Sequence, residues 1–488
     1  MAKNLMIQGT MSNAGKSLVA AGICRILHQD GYRVAPFKSQ NMALNSCITG
    51  DGGEMSRAQV VQAEACGVRP DTRMNPILLK PNSDHSSKVV VNGRQVAVLP
   101  AGEYMKERSR LIPEVLRAYN SLAAESDIMV IEGAGSPVEL NLNRRDIVNM
   151  GLAELVDAPV LLVGDIDRGG IFAQLYGTAA LFRPEEKKRL KGLLINKFRG
   201  DLDLLRPGLA TLEELCGVPV VGVIPHIDVD VEDEDSLSDK LTAHKPRKPI
   251  DIVVMHLPHI ACFSDYSPLE LYDNVSVRYI KDPEDFGEPA LAIIPGSTCT
   301  TKDLEWLRAS GLADRLQQHI ADGGLTIGIC AGYQMLGEEI LDPGHLETET
   351  IERIEGLSQL PIRTIFSGEK EQHRSTGRLG EIAGELTCFS GRAYDGYEIH
   401  TGRCTDQETA PVLRGEKNVY GTYVHSFFDH PEISQALIAR LSERLGIPTD
   451  LSRFDLKAYK EQQYDLLADG VRQALDMDLL YRIIDRKV

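Results

Sequence analysis

Leu325-Thr326-Ile327-Gly328-Ile329-Cys330-Ala331-Gly332-Tyr333-Gln334-Met335-Leu336-Gly337 is the stretch on which the reading of the chain turns. It opens as a short β-branched run that suits a buried strand, and from Ala331 onward the pattern suits a helix. Cys330 falls at the turn between them, where a nucleophile is presented. Gly328 and Gly332 flank it and permit a sharp, strained turn without side-chain collisions. At a helix N-terminus, unpaired N–H groups and the helix dipole favour an anionic sulfur. The alternative is a buried structural cysteine at a strand end. Glycines on both sides favour catalysis.

Working outward, Ala292-Ile293-Ile294-Pro295-Gly296-Ser297 is another strand ending in a tight turn, whose N–H groups can face an oxyanion. Downstream, Val419-Tyr420-Gly421-Thr422-Tyr423-Val424-His425 is a strand that delivers a histidine. Turn donors, then Gly-x-Cys-x-Gly-x-Gln, then a late-strand histidine: this order resembles the class I glutamine amidotransferase domain. The resemblance implies that Cys330 attacks the side-chain amide of glutamine, that His425 passes the proton, and that ammonia leaves. It also implies oxyanion donors at Gly296 and Ala331, and a glutamine-binding place for Gln334. One departure is visible. The family usually carries His-x-Glu, with the glutamate orienting the histidine, but here Phe427 stands in that place after Ser426. Either the dyad works without a carboxylate or another group orients His425. The cobyric acid synthase branch shares that absence.

At 488 residues the chain exceeds one core, so two or three domains are expected. A hydrophobic content of 43% with 25% charged residues is ordinary for a globular protein. Met1 leads straight into an apolar strand with no basic leader, and no apolar run is long enough to cross a bilayer. The expectation is a cytoplasmic protein without a membrane partner. Nine scattered cysteines without CxxC spacing argue against a disulfide framework and a zinc site. The formal charge of −17 disfavours nucleic acid as the main partner.

Near the start, Leu5-Met6-Ile7-Gln8 reads as a strand, followed by Gly9-Thr10-Met11-Ser12-Asn13-Ala14-Gly15-Lys16-Ser17 and a helix through Leu18, Ala21 and Ile26. A glycine-rich loop there turns N–H groups toward a phosphate, Lys16 adds a point charge, and Ser17 can ligate Mg²⁺. Thr10, Asn13, Gly15, Lys16 and Ser17 are the candidate ATP contacts. The loop has one residue more than an ordinary Walker A, and in this it resembles dethiobiotin synthetase and its relatives, which activate carboxylates with ATP.

Asp127-Ile128-Met129-Val130-Ile131-Glu132-Gly133-Ala134-Gly135-Ser136 is a buried strand ending in an acid and glycines. Beside a phosphate loop, Glu132 is a candidate Mg²⁺ ligand; the alternative is a glutamate merely exposed at a strand end. In Arg144-Arg145-Asp146 the arginines can neutralise a carboxylate-rich substrate, and Asp146 can ligate Mg²⁺ or take a proton from ammonium. A helix N-cap at Asp146 fits the local sequence equally. Strands over 159–163, 192–195 and 218–224 alternate with helical stretches, which implies a doubly wound parallel sheet with ligands at its carboxyl ends. Asp165, Asp167 and Asn196 sit there. Asn196-Lys197 resembles the base-reading element of related nucleotide-binding proteins, so Asn196 is an expected adenine contact.

Three polar blocks, over 37–46, 52–59 and 74–81, suit loops lining a ligand site, with ordinary solvated loops as the alternative. They resemble the signature of the cobyric acid synthase family, including Glu64. That resemblance extends over essentially the whole chain. It implies ATP- and glutamine-dependent amidation of the b, d, e and g carboxylates of adenosylcobyrinic acid a,c-diamide, a carboxylate-rich corrin, with Mg²⁺ and acyl-phosphate intermediates. The family also places Asp146 in the active site. Rival resemblances are a cobyrinic acid a,c-diamide synthase-like amidoligase, the amidating enzyme of peptidoglycan precursors, and, in a different class, a ParA-like partitioning or scaffold ATPase.

The expected organisation is α/β throughout. Residues 1–235 form a P-loop, doubly wound parallel-sheet synthetase domain, 236–249 a linker by composition, and 250–445 a second α/β domain of class I glutamine amidotransferase type. Residues 446–488 form a helical tail, free to pack on either domain or on a partner subunit, so a homo-oligomer stays open. Cys262 reads as structural. His400 reads either as part of the glutamine pocket or domain contact, or as structural.

Overall fold

The computed structural model describes residues 2–83, 86–141, 146–231, 246–348, 350–405, 411–451 and 455–488. The expected linker over 236–249 lies mostly outside them, as do Arg144 and Arg145. The first half is built on a six-stranded sheet in the order Val220–Pro225, Leu190–Phe198, Val160–Asp165, Lys3–Gly9, Ile128–Glu132, Val34–Phe37. Every pairing is parallel. The central strands are buried on both faces and accordingly read as near-continuous apolar runs rather than alternating ones. Their carboxyl ends carry the phosphate loop, Glu132 and Asp165, where a doubly wound sheet gathers its ligands.

The second half repeats the logic with Val275–Ile280, Ile250–Met255, Leu291–Ile294, Leu325–Ile329 and Val419–Thr422 in parallel and Leu413–Glu416 antiparallel at the edge. Cys330 follows the fourth of these strands and His425 the fifth, and the two strands are hydrogen-bonded neighbours. Nucleophile and histidine are thereby delivered to the same sheet end.

Two antiparallel ribbons bring the halves together. In the first half, Ile77–Ser83, Ser86–Val91 and Arg94–Pro100 form a meander. In the second, Arg363–Arg378 pairs with Ala393–Cys404. The polar block over 37–81 is not a set of loops, whether solvated or lining a ligand site. It holds the short strands Ser46–Ile48 and Glu54–Ser56 and the helix Arg57–Ala65, with Asn45, Ser46, Glu54 and Gln59 fully buried.

The tail resolves onto the first half. Helix Leu456–Ala474 lies along helix Lys16–Gln29, placing Tyr464, Leu467, Ala468 and Val471 in the core shared with Leu5, Ile23 and Leu27. Gly22 makes the approach close: a Cβ there would stand 2.8 Å from Cγ2 of Val471. Tyr464 donates its hydroxyl to Glu64 at 2.6 Å, so Glu64 anchors the tail instead of facing a ligand. Among the described residues no helix is long and apolar enough to cross a membrane.

Candidate active site between the two halves

Cys330 caps helix Ala331–Met335 with φ 53° and ψ −108°, a conformation that ordinary residues avoid. The flanking glycines are what make it feasible. A Cβ on Gly332 would lie 2.0 Å from the Ile294 carbonyl oxygen, and one on Gly328 would lie 2.6 Å from the Gly332 carbonyl carbon. The backbone N–H of Cys330 donates to Thr422 at 2.8 Å, tying the elbow to the histidine strand. The thiol opens on a pocket shared with His425, Gly296, Ala331 and Gln334.

His425 is 1% exposed. Its Nδ1 lies 2.7 Å from Oδ2 of Asp265, and the other carboxylate oxygen, Oδ1, accepts the Ser426 N–H at 3.2 Å. Asp265 is therefore the group that replaces the missing His-x-Glu carboxylate. Tyr397 stacks on the imidazole with centroids 5.3 Å apart. With Nδ1 engaged, Nε2 is the nitrogen left to face the cysteines; the Cys262 thiol bonds the imidazole, and the Cys330 thiol lies 3.6 Å from the Ile399 carbonyl oxygen in the same pocket. Burial alone would lower the His425 pKa, but the negative charge of Cys262, Asp265 and Cys330 outweighs it and raises the value well above that of an ordinary histidine. Cys262 is not the inert residue the sequence suggests. It lines the same pocket, and the adjacent imidazolium overcomes burial to pull its thiol below the ordinary value.

Gly296 pairs with Ala261, and a Cβ on it would stand 2.9 Å from Cε1 of His425, so only glycine fits against the imidazole. Ala331 is the first helical residue, and its N–H has no partner within the helix. The Gln334 side chain donates to the Gly402 carbonyl at 3.1 Å and to the Tyr423 hydroxyl at 3.3 Å, which holds it in the pocket wall. His400 belongs to that wall too, stacked on Tyr423 at 3.9 Å.

The roof of this pocket comes from the other half. Lys80, Lys88 and Gln95 reach into it from the first-half ribbon. Beside them Glu54, 0% exposed, bonds Lys80 from its own half and Lys370 from the second, each at 2.7 Å. Burial would raise the Glu54 pKa, and the two ammonium groups more than reverse it, holding the carboxylate well below its usual range. One carboxylate cannot serve two buried ammonium groups equally. Against burial it raises Lys80, whereas for Lys370 burial wins and the pKa falls.

The second candidate centre is the phosphate loop. Gly15 adopts φ 89° and a Cβ there would meet Nδ2 of Asn196 at 2.1 Å, while that amide donates to the Ala14 carbonyl at 3.0 Å. The Asn196 amide thus braces the loop from below, and Lys197 adds a bond to the Asn13 carbonyl at 2.9 Å. Thr10 donates to Gln174 at 3.2 Å at the loop's start. Lys16 folds back across Gly9 to the carbonyls of Met11 and Gly135 at 2.9 and 3.2 Å. Ser17 donates to Glu132 at 2.8 Å, and Lys38 pairs with the same oxygen at 2.9 Å. Glu132 is buried rather than exposed at its strand end. Burial raises its pKa and Lys38 with Ser17 overcomes the rise, so it stays ionised. Among the described residues no cluster of three or more His, Cys, Asp or Glu forms a metal cage. One hydroxyl and one carboxylate beside a phosphate cradle nonetheless fit Mg²⁺, which takes few protein ligands and completes its shell with phosphate and water.

The Asp146 carboxylate accepts the N–H groups of Val148, Asn149 and Gly151 at 2.9, 3.1 and 2.9 Å, which organises the turn before helix Met150–Leu155, whose N-cap is Asn149 and not Asp146. Asp165 accepts from Lys197 and from the Asp167 N–H, both at 2.9 Å. What sequence reasoning missed is the pairing of Asp265 with His425 and of Lys370 with Glu54; Glu54 and Lys80 fall within the polar blocks, but their partner Lys370 is remote in the chain.

Two family models match the chain. Residues 5–237 match the CobQ/CobB/MinD/ParA nucleotide binding domain, and residues 251–433 match the CobB/CobQ-like glutamine amidotransferase domain. Cobyric acid synthase of Ruminiclostridium cellulolyticum is 50% identical, over 100% of this chain and 98% of its own. That of Lachnoclostridium phytofermentans is 50% identical over 100% of both chains, and that of Streptococcus sanguinis 46% identical over 100% of both.

Proposed function

Because this chain belongs to the cobyric acid synthase family, we propose that it amidates the b, d, e and g carboxylates of adenosylcobyrinic acid a,c-diamide, using ATP and glutamine. The observation that carries this reading is the pairing, in one chain, of the Cys330–His425–Asp265 constellation with a phosphate loop backed by Glu132. A partitioning ATPase has no use for the first. A plain glutaminase has no use for the second.

The chemistry divides accordingly. A carboxylate is a poor electrophile, since direct displacement would expel oxide, so it is first phosphorylated to an acyl phosphate. Lys16 and the loop N–H groups stabilise the charge on the transferring phosphate. Bound Mg²⁺ would be held by Ser17 and Glu132 and would supply charge neutralisation to the phosphates. In the second half, Cys330 Sγ attacks the glutamine amide carbon while the Ala331 and Gly296 backbones face the oxyanion. His425 Nε2 then donates the proton that lets ammonia depart. Asp265 engages Nδ1 and so leaves Nε2 as the nitrogen that serves the sulfur. Water releases glutamate from the thioester, and ammonia displaces phosphate from the acyl phosphate.

Mass spectrometry of a reaction containing the purified chain, ATP, Mg²⁺, glutamine and the corrin diamide is the direct test. Successive conversions of carboxylate to amide are expected. A Cys330→Ala variant should lose glutamine-dependent synthesis yet retain synthesis from ammonium chloride. A variant still making product from glutamine would overturn the assignment.

A further inference from the structure

The catalytic elbow lies in the second half, but the far end of its pocket is furnished by the first. Of the lysines there, Lys80 and Lys370 are already committed to Glu54. Lys88 is different. Among the described residues its ammonium forms no hydrogen bond or salt bridge, although it is only partly exposed, and the negative charge that acts on it most is that of Glu347. A cation held out of solvent without a partner is costly unless a ligand supplies the anion. On the neighbouring strand, Gln95 brings a buried carbonyl oxygen, Oε1, to the same pocket, also without a donor. The register sets Lys88 opposite Val98 and Gln95 opposite Val90, so one ribbon carries an unsatisfied cation and an unsatisfied acceptor into one cavity.

We propose that the first-half ribbon recognises the amino-acid head of glutamine, with Lys88 binding the α-carboxylate and Gln95 accepting from the α-ammonium. This rests on the glutaminase reading of Cys330 and adds that half of the substrate pocket belongs to the synthetase half. The chemistry matches end for end. With the γ-amide at Cys330, the zwitterionic head falls to the other polar groups of the same pocket, among them Lys88, Gln95 and Glu347. Glu347 is itself fixed by the Thr300 hydroxyl and N–H and by the Thr301 N–H, which leaves it as a charge in the wall that favours the ammonium side. A second half without its neighbour would present the thiol but not the recognition of the head. Glutamine is then cleaved efficiently only where the nitrogen can be used.

The test uses the full chain and two amide substrates, glutamine and 4-aminobutanamide, which lacks only the α-carboxylate. Lys88→Met is expected to reduce kcat/KM for glutamine by about 100-fold, mostly through KM, as loss of one partner of a desolvated charge pair does. Its kcat/KM for 4-aminobutanamide should stay within about threefold of wild type, and Lys88→Arg should recover most of the glutamine activity. A Lys88→Met enzyme with wild-type KM for glutamine, or one that loses equally on both amides, overturns the assignment. If the wild-type chain releases no ammonia from glutamine, it is the glutaminase reading that falls, and the inference with it.

Discussion

Asp265→Asn tests whether a carboxylate remote in sequence does the work of the missing His-x-Glu glutamate. Oδ1 of Asp265 accepts the Ser426 N–H, and Oδ2 faces Nδ1 of His425 at 2.7 Å. Asparagine would keep its carbonyl on the Ser426 N–H, because an amide NH₂ cannot accept it, and so would turn its own N–H toward Nδ1. The imidazole would be forced to carry its proton on Nε2, the nitrogen needed by Cys330. The analogous tautomer error in a serine triad costs on the order of 10⁴ in kcat. A thiol needs less help from its base, so a fall of about 10³ is expected here, or ~4 kcal/mol at 1.36 kcal/mol per decade. The readout is ammonia release from glutamine, with synthesis from ammonium chloride as the control for an intact fold. The pH profile adds a second signature. Loss of the Asp265 charge removes one cause of the raised His425 pKa, so the alkaline limb, where the imidazolium loses its proton, should move to lower pH. Activity within tenfold of wild type, with an unmoved alkaline limb, would refute the role.

Glu54→Gln should destabilise the contact between the halves by ~3–5 kcal/mol, because Lys80 and Lys370 would remain buried without an anion. Since the folded Glu54 pKa is depressed, its contribution is complete above the ordinary glutamate value of about 4.3 and fades as pH falls through the folded value. Urea midpoints measured down an acid series should show wild type losing that increment and the variant lacking it throughout; superimposable curves would exclude the cluster as a docking element. Leu467→Ala, in the tail helix, removes a fully buried side chain packed against Gly22 and should cost ~2–5 kcal/mol in thermal or urea unfolding of the first half. A cost below ~1 kcal/mol would show the tail to be dispensable there.

The parts legible in the sequence are those in which neighbours in the chain are neighbours in space. The elbow at Cys330, the loop from Gly9 to Ser17 and the run into Glu132 each combine strand periodicity with glycines at positions that a Cβ would block, so the local pattern specifies the geometry. The parallel sheets followed from strands alternating with helices. What stayed hidden depended on pairing across the fold. Asp265 meets His425 across 160 positions, and Lys370 meets Glu54 across 316, and neither lies in a spacing that chemistry would demand locally. Cys262 read as structural, whereas its neighbours in space are Ser46, Tyr397 and His425. At Asp146 the local sequence allowed two readings, and its carboxylate holds three backbone donors of the turn before the helix that Asn149 caps.

The route of the chain bears on how the pocket stays closed. It begins in the first half, crosses to build the second, and returns, so that helix Leu456–Ala474 completes the core around helix Lys16–Gln29 and Asp476 donates its N–H to Val221 at 2.8 Å. The second half is thereby tethered at both ends to one body. A tethered partner docks at an effective concentration set by its linkers rather than by the solution, reaching the millimolar range for short flexible ones. Two tethers also restrict the approach to fewer orientations than one. Modest contacts then suffice to hold the ribbon of Lys80, Lys88 and Gln95 over Cys330: the Lys370–Glu54 pair, the Gln372 amide on the Gly52 and Gly93 carbonyls at 2.8 and 2.7 Å, and the Tyr397 hydroxyl on the Ser46 carbonyl at 2.8 Å. Lys370 also lines the pocket, so loosening the halves would disturb the wall that faces Cys330.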